Sequence, residues 1–199
     1  MRRCFKSGMT VIEIIVGGFV CLVSIVILVG LAFPGGGLMP QGQALQTLSN
    51  MRQIQQLAFS AAEDRKVSGD TNLIGWPGDN NFAVWVRSLT NSSITGNVVA
   101  KLFSAPGVEL HELPQYKPGK TAVRVYQVSE KSATNTVFLS SYNWNAETPN
   151  APLSRTSLRF GNALFVILHK DGEGKVYKGN QATNTNTGFF GVLTNNIRP

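Results

Sequence analysis

The segment that decides the fold lies at the N-terminus, where residues 6–33 read KSGMTVIEIIVGGFVCLVSIVILVGLAF. The 25 residues from Met9 to Phe33 contain one ionisable side chain other than cysteine, Glu13. The 20 residues from Ile14 to Phe33 are uncharged. As a helix rising 1.5 Å per residue they would span about 30 Å, the thickness of a bilayer core. The sequence therefore predicts a transmembrane helix in this segment.

Charges around the apolar run predict its orientation. Arg2, Arg3 and Lys6 precede the run, and no comparable cluster follows it. The positive-inside rule then places the N-terminus in the cytoplasm and the bulk of the chain on the other side of the membrane. An ordinary signal peptide cleaved after Ala32 is the alternative, but its apolar region would usually have only about 7–15 residues. An acid at mid-membrane costs about 2.5–3.5 kcal/mol, so Glu13 indicates a function.

The stretch from Lys6 to Val16 resembles the class III signal of type IV pilins and type II secretion pseudopilins. In that pattern a short basic leader ends in glycine, and the fifth residue of the mature chain is glutamate. Gly8 matches the glycine, and Glu13 is the fifth residue counted from Met9. Met9 departs from phenylalanine, which is the family's commonest first residue. The resemblance predicts a leader at 1–8 and a transmembrane and assembly helix at 9–33.

The resemblance implies a processing and assembly pathway. A prepilin peptidase would cut between Gly8 and Met9 and methylate the new amine. Glu13 would then meet the N-terminal amine of a neighbouring subunit inside a filament and favour one axial register, because a buried carboxylate is tolerable when it is paired. The implied partners are the prepilin peptidase, other pilin or pseudopilin subunits, an inner-membrane assembly platform and the lipid bilayer. The implied location is the bacterial inner membrane, with the head in the periplasm.

A helical stem is predicted after the membrane segment. Prolines and a glycine triplet at 34–42 predict a break, because proline removes a helix hydrogen bond and glycine adds backbone entropy. Apolar residues then recur at helical spacing over 43–66, which predicts an amphipathic helix whose apolar side packs on a sheet. The sequence Asn-Met-Arg-Gln-Ile at 50–54 also resembles the stem of bacterial pseudopilin-like proteins.

The remaining residues, 67–199, predict a globular α+β head. Residues 82–89 and 97–103 suit short helices, although Phe82, Val84 and Val86 also fit the alternation of a strand. Strands rich in β-branched and aromatic residues are predicted at 121–129, 136–142, 162–169 and 175–178. The glycine-rich sequence at 170–174 predicts a turn between the last two strands. The predicted fold class is therefore α+β, pilin-like, with a long N-terminal helix packed on an antiparallel sheet.

Candidate sites in the head are few. Asp171 and Glu173, in the predicted turn, are weak candidates for calcium ligands, since calcium takes oxygen ligands. His111 and His169 lack zinc-site spacing and are predicted to be structural or surface histidines. No nucleophile elbow or phosphate-binding glycine loop is present, so the sequence predicts neither catalysis nor a cofactor.

Charge and cysteine content limit the other classes of function. The formal net charge is +7, but the cations beyond the leader form no block of five or six, which makes nucleic-acid binding an unfavoured interpretation. The two cysteines, Cys4 and Cys21, precede the head, so the head contains no disulfide. The alternatives left open are a minor type IV pilin in adhesion or DNA uptake, and a secreted β-rich binding domain with an ordinary signal peptide.

Overall fold

A computed structural model describes residues 38–90, 96–105, 108, 121–154, 158–184, 186 and 188–197. The chain divides into two units between Met39 and Pro40, and the second unit contains the sheet and nearly all of the described helical residues. Among the described residues no helix is both long and apolar enough to cross a membrane. The predicted leader and apolar helix, 1–33, lie outside the described residues.

The stem helix, α1, spans Leu38–Ser68. The predicted start at residue 43 is wrong, because the last part of the expected break, from Leu38 to Gly42, is helical. Pro40 is the third residue of α1, where a backbone N–H would have no intrahelical acceptor, so proline is tolerated there. The end is set by Gly69, which has a φ of +69° and donates its N–H to the carbonyl of Arg65 at 2.9 Å.

Two short helices and a four-stranded sheet follow the stem. Helix α2 spans Phe82–Thr90 and α3 spans Gly96–Leu102, close to the predicted segments. The strands are β1 Val123–Val125, β2 Val137–Ser141, β3 Leu164–His169 and β4 Gly174–Lys178. They form an antiparallel meander in the order β1-β2-β3-β4. A 3₁₀ turn at Gly179–Gln181 follows β4. The α+β class and the antiparallel sheet are confirmed.

The sheet buries both of its faces. One face packs against α1, α2 and α3 through a cluster that includes Leu48, Met51, Ile54 and Trp85, and Val166 and Leu168 of β3 belong to it. On the other face Phe165 and Ile167 join an aromatic cluster. The period of two in β3 thus divides its side chains between two cores.

The predicted bounds of the first strand, 121–129, are wrong, because the strand is observed only over Val123–Val125. After Val125 the backbone pairs with the C-terminal segment at 192–197: the N–H of Gln127 donates to Asn195 at 2.8 Å, and that of Ile197 donates to Val125 at 3.0 Å. Tyr126 and Asn196 form an isolated antiparallel bridge. The chain end therefore covers the edge of the sheet beside β1.

Candidate functional site

The residues predicted to carry processing and assembly lie outside the described residues. They are the leader cations Arg2, Arg3 and Lys6, the cleavage-site residues Gly8 and Met9, and the intramembrane acid Glu13. The site that the structure does describe is the surface that α1 and the head loops form together.

Specific contacts hold α1 on the head. The amide Nε2 of Gln55 donates to the carbonyl of Lys170 at 3.0 Å, in the turn between β3 and β4. Asn50 donates through Nδ2 to the carbonyl of Ser104 at 3.3 Å, beyond α3. These bonds join α1 to two separate parts of the head. They therefore fix the rotation of α1 about its own axis.

The outer side of α1 keeps large apolar side chains in solvent. Leu45 is 57% exposed and Phe59 is 52% exposed. Leu45, Arg52 and Phe59 follow one another at intervals of seven residues, so they lie along one side of the helix. All three are exposed, whereas the core side of α1 carries buried aliphatic side chains. We call this row, Leu45–Arg52–Phe59, the outer stripe.

The calcium candidates belong to a closed hairpin turn. Oδ1 of Asp171 accepts the backbone N–H of Glu173 at 2.8 Å. Glu173 pairs with Lys175 at 2.7 Å, and that hydrogen bond lowers the pKa of the Glu173 carboxyl. No group of three metal-ligating side chains is found among the described residues. The two carboxylates therefore make the local contacts of a turn and do not converge on a common point.

His169 is the last residue of β3, and His111 lies outside the described residues. The His169 ring is buried, and Nε2 lies 2.9 Å from the carbonyl of Phe190. A carbonyl only accepts hydrogen bonds, so Nε2 carries the hydrogen. Nδ1 is buried and has no hydrogen-bond partner among the residues that the structure describes. The ring thus links the end of β3 to the C-terminal segment.

The described part of the head has two depressions that share lining residues. The first, of about 520 Å³, lies between the last turn of α1, the loop at 74–80 and the turn at 129–131. The second, of about 440 Å³, lies between the loop at 78–79, residues 127–132 and the C-terminal segment at 193–195. Gly78 and Ser129 line both of them. We call the two together the double groove.

Backbone hydrogen bonds hold the walls of the double groove. The N–H of Gly78 donates to Val128 at 2.9 Å, and that of Gln127 donates to Asn195 at 2.8 Å. Nζ of Lys170 donates to the carbonyls of Glu130 and Ser132 at 2.7 and 2.8 Å. Burial lowers the pKa of Lys170. The groove is consequently formed before any ligand arrives.

Side chains in the second depression keep free hydrogen-bonding groups. The carboxylate of Asp79 and the carboxamides of Gln127 and Asn195 have no hydrogen-bond partner within the part of the chain that the structure describes. In the first depression the half-buried ring of Trp76 packs edge-on against Phe138, with centroids 5.3 Å apart. Polar groups from three chain segments thus line the second depression, and the indole lines the first, which shares Gly78 and Ser129 with it.

Sequence reasoning missed the double groove. Its residues come from positions near 76, 128 and 194, which are far apart in sequence and have no motif spacing. The local signals were the turn sequence Pro77-Gly78-Asp79 and the polar content of the last residues, and neither indicates which loops meet.

No protein-family model, curated protein or solved structure matches the chain.

Proposed function

We propose that this chain is a pseudopilin-like structural subunit and has no enzymatic role. A prepilin peptidase would cleave it after Gly8 and methylate Met9, and it would assemble into a periplasmic filament of a type II secretion or type IV pilus-like system. The observation that carries the proposal is the spacing of Gly8, Met9 and Glu13 before a 20-residue uncharged run.

The described fold supports this proposal at a coarser level. An amphipathic helix packed on an antiparallel sheet, in an α+β head, is the arrangement that the N-terminal resemblance implies. Because α1 is fixed to the head by Gln55 and Asn50, a force on the stem would be transmitted to the head. The finer pilin-like description, with α1 continuing from an apolar membrane helix, is part of the proposal.

The proposed mechanism is assembly. Apolar helices would leave lipid and pack together in the filament, with Glu13 paired to the amine of the next subunit. Breaking a buried ion pair by removing one partner costs about 3–5 kcal/mol, so the pair discriminates strongly among axial registers. The outer stripe on α1 would lie against neighbouring subunits, which accounts for its exposed Leu45 and Phe59.

The direct test of assembly replaces Glu13 by Gln, which removes the charge and keeps the size. Cells that carry the assembly system would express each variant, and filaments would be sheared and quantified. We expect Glu13→Gln to be cleaved and retained in the membrane while its filament yield falls at least about tenfold. Normal filament yield from Glu13→Gln would contradict the register mechanism.

A second variant pair tests the outer stripe. Phe59→Ser removes an exposed apolar side chain, whereas Val67→Ser removes another exposed one that lies off the stripe, near the end of α1. We expect Phe59→Ser to reduce filament yield and Val67→Ser to leave it unchanged, with both heads equally stable. Equal yields from the two variants would exclude the outer stripe from subunit contacts.

A further inference from the structure

The double groove has the chemistry of a site for a polyhydroxylated ligand, and we propose that it binds an oligosaccharide chain. This inference does not depend on the filament function. It starts from the carboxylate of Asp79 and the carboxamides of Gln127 and Asn195, which are unpaired within the described part of the chain and face one depression from three chain segments. Convergent polar groups in a preformed concavity are the usual mark of a ligand site.

The kind of polar group favours a sugar. A carboxamide donates two hydrogen bonds and accepts two, and a carboxylate accepts several, so each can hold a pair of neighbouring hydroxyls that both donate and accept. The hydroxyls of Ser129 and Ser132, which hydrogen-bond each other at 3.2 Å, also line the second depression, and Ser129 lines the first as well. A sugar ring carries several neighbouring hydroxyls around its edge, which these polar groups would bind.

Trp76 supplies the complementary apolar surface. Its ring lines the first depression, next to Gly78, and is held by the edge contact with Phe138 and by the ammonium of Lys170, 5.6 Å from the ring centroid. Indole buries a large rigid area at low entropic cost. The C–H face of one sugar ring would lie on Trp76 while the hydroxyls of the next would reach Asp79 and Gln127.

The same geometry argues against other ligand classes. A peptide that added a strand would need free backbone groups, but Gly78 bonds to Val128 and Gln127 bonds to Asn195 along the walls. A nucleic acid would need cations along its whole path, and although Arg65, Lys66 and Lys131 line the first depression, the lining described for the second contains Asp79 and no lysine or arginine. The two depressions share Gly78 and Ser129, so a chain of linked sugars would contact both.

The test is calorimetric titration of the full-length protein in a detergent that has no sugar headgroup. The probes are cellotetraose and the tetramer of β-1,4-linked N-acetylglucosamine, with tetra-alanine as the peptide control. We expect saturable binding of at least one tetrasaccharide, with one site per chain. Asp79→Ala and Gln127→Ala should each weaken it about tenfold or more, because each loses hydrogen bonds to the ligand. Asp171→Ala, in the turn outside the groove, should leave the affinity unchanged.

Tryptophan fluorescence provides a second readout. Binding should change the emission of the native protein, and Trp76→Phe should abolish most of that change while circular dichroism shows a folded head. The proposal is overturned if neither tetrasaccharide binds at millimolar concentration, if Asp79→Ala and Gln127→Ala bind as tightly as the native protein, or if only tetra-alanine binds.

Discussion

The two faces of the sheet are covered by very different structures. On one face α1 contributes a regular row of aliphatic side chains, including Leu48, Met51 and Ile54. On the other face an aromatic cluster lies under an irregular C-terminal segment, and its large rings are Trp144, Phe165, Tyr177 and Phe190. The packing of the helical face follows from a repeating pattern in the sequence. The packing of the aromatic face depends on a few large rings, and scattered hydrogen bonds hold the C-terminal segment over them.

The largest expected effect comes from the centre of the aromatic face. Phe165 stacks on Trp144 and on Tyr177, with centroids 5.8 and 5.2 Å apart and interplanar angles of 13° and 17°. Phe165→Ala should lower the free energy of unfolding by about 3–5 kcal/mol, because it leaves a cavity between two rings. Urea denaturation would measure this loss. Phe165→Leu is the matched control and should lose less, and equal losses would show that ring stacking contributes little.

Alkaline pH should weaken the aromatic face through Tyr126. Burial raises the pKa of Tyr126 to about 12, against an ordinary value of about 10. The folded state therefore keeps a proton that the unfolded state releases, so the contribution of Tyr126 to stability is constant below about pH 10 and falls between about pH 10 and 12. The fall should reach about 2–3 kcal/mol.

Urea denaturation at a series of pH values would measure this loss. Tyr126→Phe should flatten the dependence, although Tyr177, whose pKa is also raised by burial, will leave a smaller slope. An unchanged slope in Tyr126→Phe would assign the alkaline loss to other groups.

On the helical face a close backbone approach should be the sensitive point. A Cβ placed on Gly75 would overlap the backbone nitrogen and the Cβ of Ala62 in α1. Gly75→Ala should therefore cost about 1–3 kcal/mol as the loop and the helix are forced apart. Gly42→Ala is the control: it lies in α1, where an added Cβ would meet no described atom within 4 Å, and should raise stability by about 0.5–1 kcal/mol. Thermal unfolding would measure the stability of both variants. Equal changes in stability would show that the approach of Gly75 to Ala62 is not close.

The smallest expected effect is a difference in stability between two variants, each with one tryptophan replaced, one from each face of the sheet. Trp85 donates through Nε1 to the carbonyl of Gly75 at 2.9 Å, whereas Nε1 of Trp144 is buried with no partner in the described ranges. Trp85→Phe leaves a carbonyl unpaired, but Trp144→Phe removes an unpaired donor. Trp85→Phe should therefore be the more destabilising of the two by about 1–2 kcal/mol. Urea denaturation followed by circular dichroism would show this, and the reverse order would mean that a water satisfies Trp144.

The difference between the two faces also explains which parts of the fold could be predicted from sequence. Apolar residues recur with a period of 3.6 in helix α1 and of 2 in strand β3. These periods involve only residues that are near one another in sequence, so both elements were predicted closely. The start of α1 at Leu38 was missed because proline's cost depends on its position within a helix. The pairing of Tyr126 and Gln127 with the C-terminal segment was missed because it joins residues that are far apart in sequence. The double groove was missed for the same reason, since three distant loops build it.

The proposed processing site precedes the described fold, and the mature N-terminus shows directly whether it is used. Mass spectrometry of the full-length protein, isolated from cells that contain a prepilin peptidase, would identify the first residue and its modification. We expect a chain that begins at Met9 with an N-methyl group. A chain that begins at Phe33, released from the membrane by an ordinary signal peptidase, would refute the proposed pseudopilin function.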